Sequence, residues 1–172
     1  LYEDEVYDGN DIRRLGEELL FVEQASTLIG ALQECEYDSI VCTDPHSYNT
    51  IRNEYSEIDF SEFADDPMLE APVDGYWNED GAVDVYHYTQ LVEELVQAGR
   101  LDLGSLDRTV TYHDPCHLGR YNGEYEAPRE GVGATGVELG EPPRIRAGSF
   151  CAGGGGAGAV GGRRWAIRTS RG

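Results

Sequence analysis

In Thr109-Val-Thr-Tyr-His-Asp-Pro-Cys-His-Leu-Gly-Arg-Tyr-Asn-Gly-Glu-Tyr-Glu-Ala-Pro-Arg129, a run of β-formers ends at a proline, and a thiol follows at once. Thr109, Val110, Thr111 and Tyr112 predict a strand. Asp114-Pro115 ends it, because proline cannot donate to a ladder and restricts the residue before it. Cys116 and His117 then lie just past a strand's carboxyl end, the edge at which open α/β sheets collect ligands. Upstream the same order recurs. Residues 11–33 place Ile12, Leu15, Leu19, Val22, Leu28, Ile29 and Leu32 near a 3.6-residue period, with Asn10 or Asp11 able to cap the start, which predicts one amphipathic helix. Residues 38–43 read as a short buried strand meeting Pro45, followed by a loop with His46 and Ser47 and a helical turn through 48–55. Residues 56–81, acidic and carrying Pro67, Pro72 and Gly75, read as a connection. An alternating strand over 83–88 and a helix over 89–98, ended by Gly99, lead into the strand at 109–113. The expectation is an α/β protein of two units whose loops share one edge.

Three segments resemble the cysteine-rich, iron–sulfur-binding domains of heterodisulfide reductase catalytic subunits and their relatives. Tyr112-His-Asp-Pro-Cys-His-Leu-Gly-Arg-Tyr-Asn-Gly123 is similar to the segment that brings that domain its first cysteine. Ser149-Phe-Cys-Ala-Gly-Gly-Gly-Gly156 is similar to its paired-cysteine, glycine-rich segment, and Asp44-Pro-His-Ser-Tyr-Asn-Thr-Ile-Arg-Asn-Glu-Tyr55 to a degenerate copy of the C-P-H-C segment of a preceding domain. The resemblance implies two small cysteine-rich-domain-like halves with short, mostly parallel strands and flanking helices. These are a degenerate half at 1–80, an incomplete one at 81–156, and a glycine- and arginine-rich tail at 157–172 expected to be disordered.

By the same resemblance Cys116 and Cys151 are cluster ligands, and Gly153 and Gly154 let the backbone approach a 4Fe-4S cluster and donate N–H groups to its sulfur. Soft thiolates suit iron, and a cubane cluster usually takes four. This sequence departs from the pattern: Ala152 stands at the pair's second cysteine, and the closing C-x-x-C is absent. In the first half, Tyr7 stands near a family cysteine, while Asp44 and Ser47 replace a C-x-x-C. The function implied is the electron-transferring, iron–sulfur part of a heterodisulfide reductase-like oxidoreductase, fed by a ferredoxin-type module and acting on a disulfide or small organic substrate. Its expected place is the cytoplasm or the cytoplasmic side of a membrane complex. A cofactor-free structural or interaction domain is the reading from a different class.

Composition narrows the partners. The 172 residues carry 33 acids against 13 bases, a net charge of −20, and every base is arginine. Residues 1–130 hold 31 acids and 7 arginines, residues 131–172 only 2 acids and 6 arginines, and thirteen of the 22 glycines fall after Glu130. That charge argues against nucleic acid or an anionic membrane surface as a partner. It is what a salt-rich cytosol tolerates, which points to a halophilic source. The abrupt change of composition is what a shifted reading frame produces, with a basic tail folding onto the acidic body as the functional alternative. Leu1 reads as the start of a fragment or processed piece. No stretch reaches the length of a membrane span, and no signal peptide is visible.

Other chemistries are open to the same residues. His113, Cys116 and His117, joined by His46, offer nitrogen and sulfur donors suited to zinc, without a second paired motif. A cysteine hydrolase needs a nucleophile, base and oxyanion hole that meet in space, which adjacency of Cys116 to histidines does not supply. Gly131-Val-Gly-Ala-Thr-Gly136 and Gly156-Ala-Gly-Ala-Val-Gly161 satisfy G-x-G-x-x-G but lack the strand, helix and acidic residue that make it a dinucleotide fingerprint. A P-loop is excluded for want of lysine. Cys42 reads as a small core residue, Cys35 as inert at a helix end, His87 as packing, and Arg120 and Arg129 as anchors for carboxylates. The four cysteines, irregularly spaced, read as reduced thiols.

Overall fold

The computed structural model describes residues 6–67, 69, 71–151 and 153. Its first elements are α1 (Asn10–Leu15) and α2 (Glu18–Gln33). The single helix expected over 11–33 is therefore two. Gly16 takes φ +86° and returns its N–H to the carbonyls of Arg13 and Ile12, a left-handed cap that residues with a Cβ adopt only at a cost. The helix α2 turns Phe21, Val22, Ala25, Leu28, Ile29 and Leu32 into the core.

β1 (Ser39–Cys42) pairs in parallel with β2 (Asp84–His87), Ser39 opposite Asp84 and Cys42 opposite His87. The stretches on either side of residue 80 thus share a sheet. After β1, Asp44 caps α3 (Pro45–Asn49), accepting the backbone N–H groups of His46 at 2.8 Å and Ser47 at 3.2 Å. A π-helical turn (Thr50–Glu54) and a 3-10 turn (Tyr55–Glu57) continue it. β2 runs directly into α4 (Tyr88–Gln97). A second parallel pair joins β3 (Thr109–Val110) to β4 (Glu138–Leu139), with α5 (Cys116–Asn122) and α6 (Glu126–Gly133) between them. The protein is a small α/β fold whose strands are short and parallel, with α4 packed on α6 and α3 on α5.

Tyr48, Ile51, Tyr55, Phe60, Trp77, Val85 and Leu118 complete the core around α2. The Tyr55 hydroxyl donates to the Asp8 carbonyl at 2.8 Å, and its ring meets Trp77 edge-on. Glu54 is buried but paired: it accepts from Asn49 Nδ2 at 2.7 Å, from Arg13 Nη1 at 3.3 Å, and from Arg14. A carboxylate is tolerated in such a place only with partners of this kind. Residues 56–81 are more than a connection, since Ile58, Phe60 and Trp77 are buried and Asp59 bridges Tyr76. The tail over 157–172 lies outside the described residues. Among those described, no helix is long and apolar enough to cross a membrane.

Candidate functional site

The strand expected over 109–113 pairs only through Val110, and the chain beyond it turns Asp114 inward. Asp114 is 2% exposed, and its carboxylate accepts both Arg129 guanidinium nitrogens, at 2.6 and 2.9 Å, and the Arg146 backbone N–H at 2.5 Å. Its carbonyl accepts the Ser149 hydroxyl at 3.1 Å. Arg129 also donates to the Tyr125 carbonyl at 2.8 Å and to Glu141 at 2.7 Å. Burial opposes the charge on Asp114, but the bonds from Arg129 and Arg146 outweigh it and hold the carboxyl below its ordinary range. The same carboxylates push the Arg129 guanidinium further up.

This buried ion pair sits two residues before Cys116 and grips residues that lie two and five positions before Cys151. Arg120 adds a second clamp, its Nη2 donating to the carbonyls of Ser149 at 2.6 Å and Ala147 at 3.2 Å. Arginine's fork suits this, because one rigid group spans several acceptors. The two predicted anchors thus differ in what they hold: Arg129 takes carboxylates, and Arg120 takes backbone carbonyls.

The outcome is that Cys116 Sγ and Cys151 Sγ stand 4.0 Å apart. Cys151 is exposed, Cys116 half-buried, and the Gly153 N–H points at Cys151 Sγ at 3.4 Å. Burial, then Cys151 alongside, push the Cys116 thiol up, against a smaller opposite pull from the His117 backbone N–H and then Arg120. Gly154 and Ala152 lie outside the described residues. Cys42 is buried in β1, and burial pushes its thiol up to about 12, so it stays protonated at neutral pH. Cys35 is exposed at the end of α2 and directs its Sγ to the Ala31 carbonyl at 3.5 Å.

Next to the pair, α3 and α5 meet through their histidines. The His117 ring packs 4.3 Å from the His46 ring and 5.0 Å from Tyr121. His117 Nδ1 is buried without a partner; burial first, then His46 and Arg14, lower its pKa to about 4, so the ring is neutral at pH 7. His46 moves the other way, raised by its contact with Asp44 Oδ1 at 3.2 Å. An asparagine network fixes α3 to α5: Asn53 donates to Asn122 at 2.9 Å, and Asn122 to Asn49 at 3.1 Å. His113 is exposed, and His87 is packed between Tyr48 and Tyr88. Among the described residues no three His, Cys, Asp or Glu side chains converge to hold a metal, so His113, Cys116 and His117 are not brought together as one ligand group. A cavity of about 820 Å³ opens beside β1, lined by Asp8, Cys42, Asp44, His46, Ser47 and Ile51.

The signal missed in the sequence is the link between Asp114, Arg129 and Glu141. An Asp-Pro before a cysteine hints that the carboxylate faces inward, but nothing local names its partner 15 residues on.

Two thiols on a small α/β fold, carried by segments that a buried ion pair fixes, make a thiol-presenting site. Residues 110–168 match the cysteine-rich domain family. The match runs past Gly156, beyond the segments that carry the resemblance in the sequence. The chain is 41% identical over 152 residues to a probable membrane-anchored ferredoxin of Chromohalobacter salexigens, covering 87% of this chain and 20% of that protein. It is 38% identical over 150 residues to the probable iron-sulfur-binding oxidoreductase FadF of Bacillus subtilis, 86% of this chain and 18% of that one. A third relative, from the dihydromethanophenazine:CoB–CoM heterodisulfide reductase of Methanosarcina acetivorans, is 43% identical over 75 residues, covering 42% of this chain and 18% of that polypeptide. The chain spans about a fifth of the length of these relatives. No solved structure matches it.

The donor chemistry fits an iron–sulfur group in part. Two thiols side by side, one with an N–H aimed at its sulfur, are ligands of the right softness. They are half of the usual four, and the other two cysteines, Cys35 and Cys42, belong to α2's end and to β1.

Proposed function

We propose that this chain is the cysteine-rich part of an electron-transferring iron–sulfur oxidoreductase, related to heterodisulfide reductases, and that Cys116 and Cys151 supply two thiolates to a 4Fe-4S cluster. The observation that carries this reading is the meeting of their Sγ atoms at 4.0 Å, on a segment that matches the cysteine-rich domain family. When bound, the cluster supplies one-electron chemistry. The chain's residues do the holding. Asp114, Arg129 and Arg120 fix the two cysteine-bearing segments, and the Gly153 N–H offsets negative charge on Cys151 Sγ. Gly154 extends that donor set by resemblance to the family.

The missing ligands come from elsewhere in a longer protein or from a partner. The electron donor is a ferredoxin-type module, and the acceptor a disulfide or small organic substrate. The site lies on the cytoplasmic side, free or in a membrane-associated complex; the name of one relative, a probable membrane-anchored ferredoxin, supports the membrane association. On this reading residues 1–80 are a scaffold half that has lost its own cluster, and 81–156 the half that keeps two ligands. The second reading, a cofactor-free interaction domain, rests on the departures from the family pattern: Ala152 stands at the pair's second cysteine, and Asp44 and Ser47 replace a C-x-x-C.

Anaerobic purification with iron and acid-labile sulfide analysis and an electron paramagnetic resonance spectrum tests both, on the native chain and on Cys116→Ala. Several irons per chain, lost with Cys116, support the cluster reading. Absence of iron and sulfide supports the interaction domain, and zinc in their place overturns both readings.

A further inference from the structure

Whatever group the thiols hold in the loaded protein, the metal-free chain presents them as neighbours. The Sγ atoms are 4.0 Å apart, about 2 Å beyond bonding distance. That remaining gap is within the reach of a side-chain rotation. The backbone behind each sulfur is fixed: Asp114 binds Arg146 N–H and Ser149 Oγ, and Arg120 holds the carbonyls of Ala147 and Ser149. The two remaining thiols make a poor competing pair, since Cys42 is buried in β1 while Cys35 is exposed at the end of α2.

We propose that Cys116 and Cys151 are a site of reversible oxidative cross-linking, which a low-molecular-weight disulfide closes and a dithiol opens. The exposed Cys151 meets the small disulfide first. Its thiolate attacks one sulfur, the S–S bond of the small molecule breaks, and one thiolate leaves. A mixed disulfide remains on Cys151. The Cys116 thiolate then attacks the Cys151 sulfur, and the second small thiolate leaves. Two electrons pass from the protein to the small disulfide, which departs as two thiols carrying the two protons. The closed pair has no thiolate to offer a metal, so two electrons must open it before loading. That last consequence rests on the cluster reading above; the cross-link does not.

The test uses the full chain, reduced, freed of metal with a chelator and equilibrated with oxidised glutathione. Expected are a fall from four free thiols by two, one pair's worth, and no retained glutathione. Because trypsin finds only arginines to cut, peptides 109–120 and 147–163 should emerge joined, while Cys35 and Cys42 share peptide 15–52. The joined pair should separate with dithiothreitol, and Cys116→Ser should leave glutathione on Cys151. In urea the preference for the 116–151 link should disappear, which ties it to the fold. Stable glutathione on Cys151 of the unaltered chain, or a Cys35–Cys42 link in its place, overturns the proposal. A chain that binds iron and sulfide yet fails to cross-link when stripped sinks this proposal and leaves the cluster reading standing.

Discussion

Asp114 shows how one buried carboxylate can organise chemistry it does not perform. It is closed in by the Arg129 fork and by the chain that leads to Cys151, so removing the guanidinium strands a charge in the interior. Arg129→Met should cost about 3–5 kcal/mol in urea unfolding, the range for breaking a buried pair from one side. Arg120→Met, which removes bonds to carbonyls at a more exposed position, should cost about 1–2 kcal/mol. Equal costs for the two would mean that Asp114 finds other partners. Asp44 offers a pH-dependent counterpart. Hydrogen bonds, first from His46 and then from the backbone at the start of α3, lower its pKa to about 2. A carboxyl whose folded pKa lies below its unfolded one stabilises the fold above the unfolded value and loses that contribution as pH falls through the folded one. Asp44→Ala should therefore cost about 1 kcal/mol at pH 6, as a lost helix cap does. The gap in urea midpoints between parent and variant should narrow below about pH 4. A gap that stays constant to pH 3 would mean that the cap acts without its charge.

Helices α5 and α6 meet at a glycine. A Cβ on Gly119 would stand 2.4 Å from Tyr125 Cε1, whereas one on Gly123 meets nothing within 4 Å but must take φ +70°. Gly119→Ala sets about 1 kcal/mol of gained helix propensity against overpacking of about 1–3 kcal/mol, and because the added Cβ meets two atoms of a rigid ring the second wins. Gly123→Ala should lose about 1–2 kcal/mol by backbone strain alone. A double variant with Tyr125→Ala separates them: it should rescue Gly119→Ala and leave Gly123→Ala unchanged, as read from thermal midpoints. Elements with a clean period were legible in the sequence, among them β1, β2 and α4. The break at Gly16 was hidden because the apolar stripe continues across it. Helix α6 carries Pro128, Gly131 and Gly133, residues of low helix propensity, and its packing against α4, with Val92 close to Gly131, overrides that propensity. Cys116 and Cys151 were paired by resemblance to a family. The ion pair that positions them was illegible, since in a chain this acidic no carboxylate stands out from its neighbours.

Net charge governs the molecule as a whole. Residues 1–130 carry 31 acids against 7 arginines, and several of those arginines are already committed inside: Arg13 and Arg14 to Glu54, Arg129 to Asp114. The carboxylates left on the surface therefore face one another, and folding concentrates them. Repulsion of this kind is long-ranged at low salt, where the Debye length is about 10 Å at 0.1 M, and nearly gone at about 3 Å in 1 M. The urea midpoint should thus rise with sodium chloride, most steeply below about 0.5 M and with little further gain from screening above about 1 M. A second effect of salt, exclusion from the protein surface, also stabilises but depends on the anion and keeps growing with concentration. Comparing chloride with sulfate at equal ionic strength divides the two: coincident curves at low salt identify screening, and divergence at high salt identifies exclusion. The loss caused by Arg129→Met should hardly change across the same range, because that pair is shielded from the solvent ions. A midpoint that is flat in chloride would mean that the exposed carboxylates are not crowded by folding, and the case for adaptation to a salt-rich cytosol would lose its physical ground.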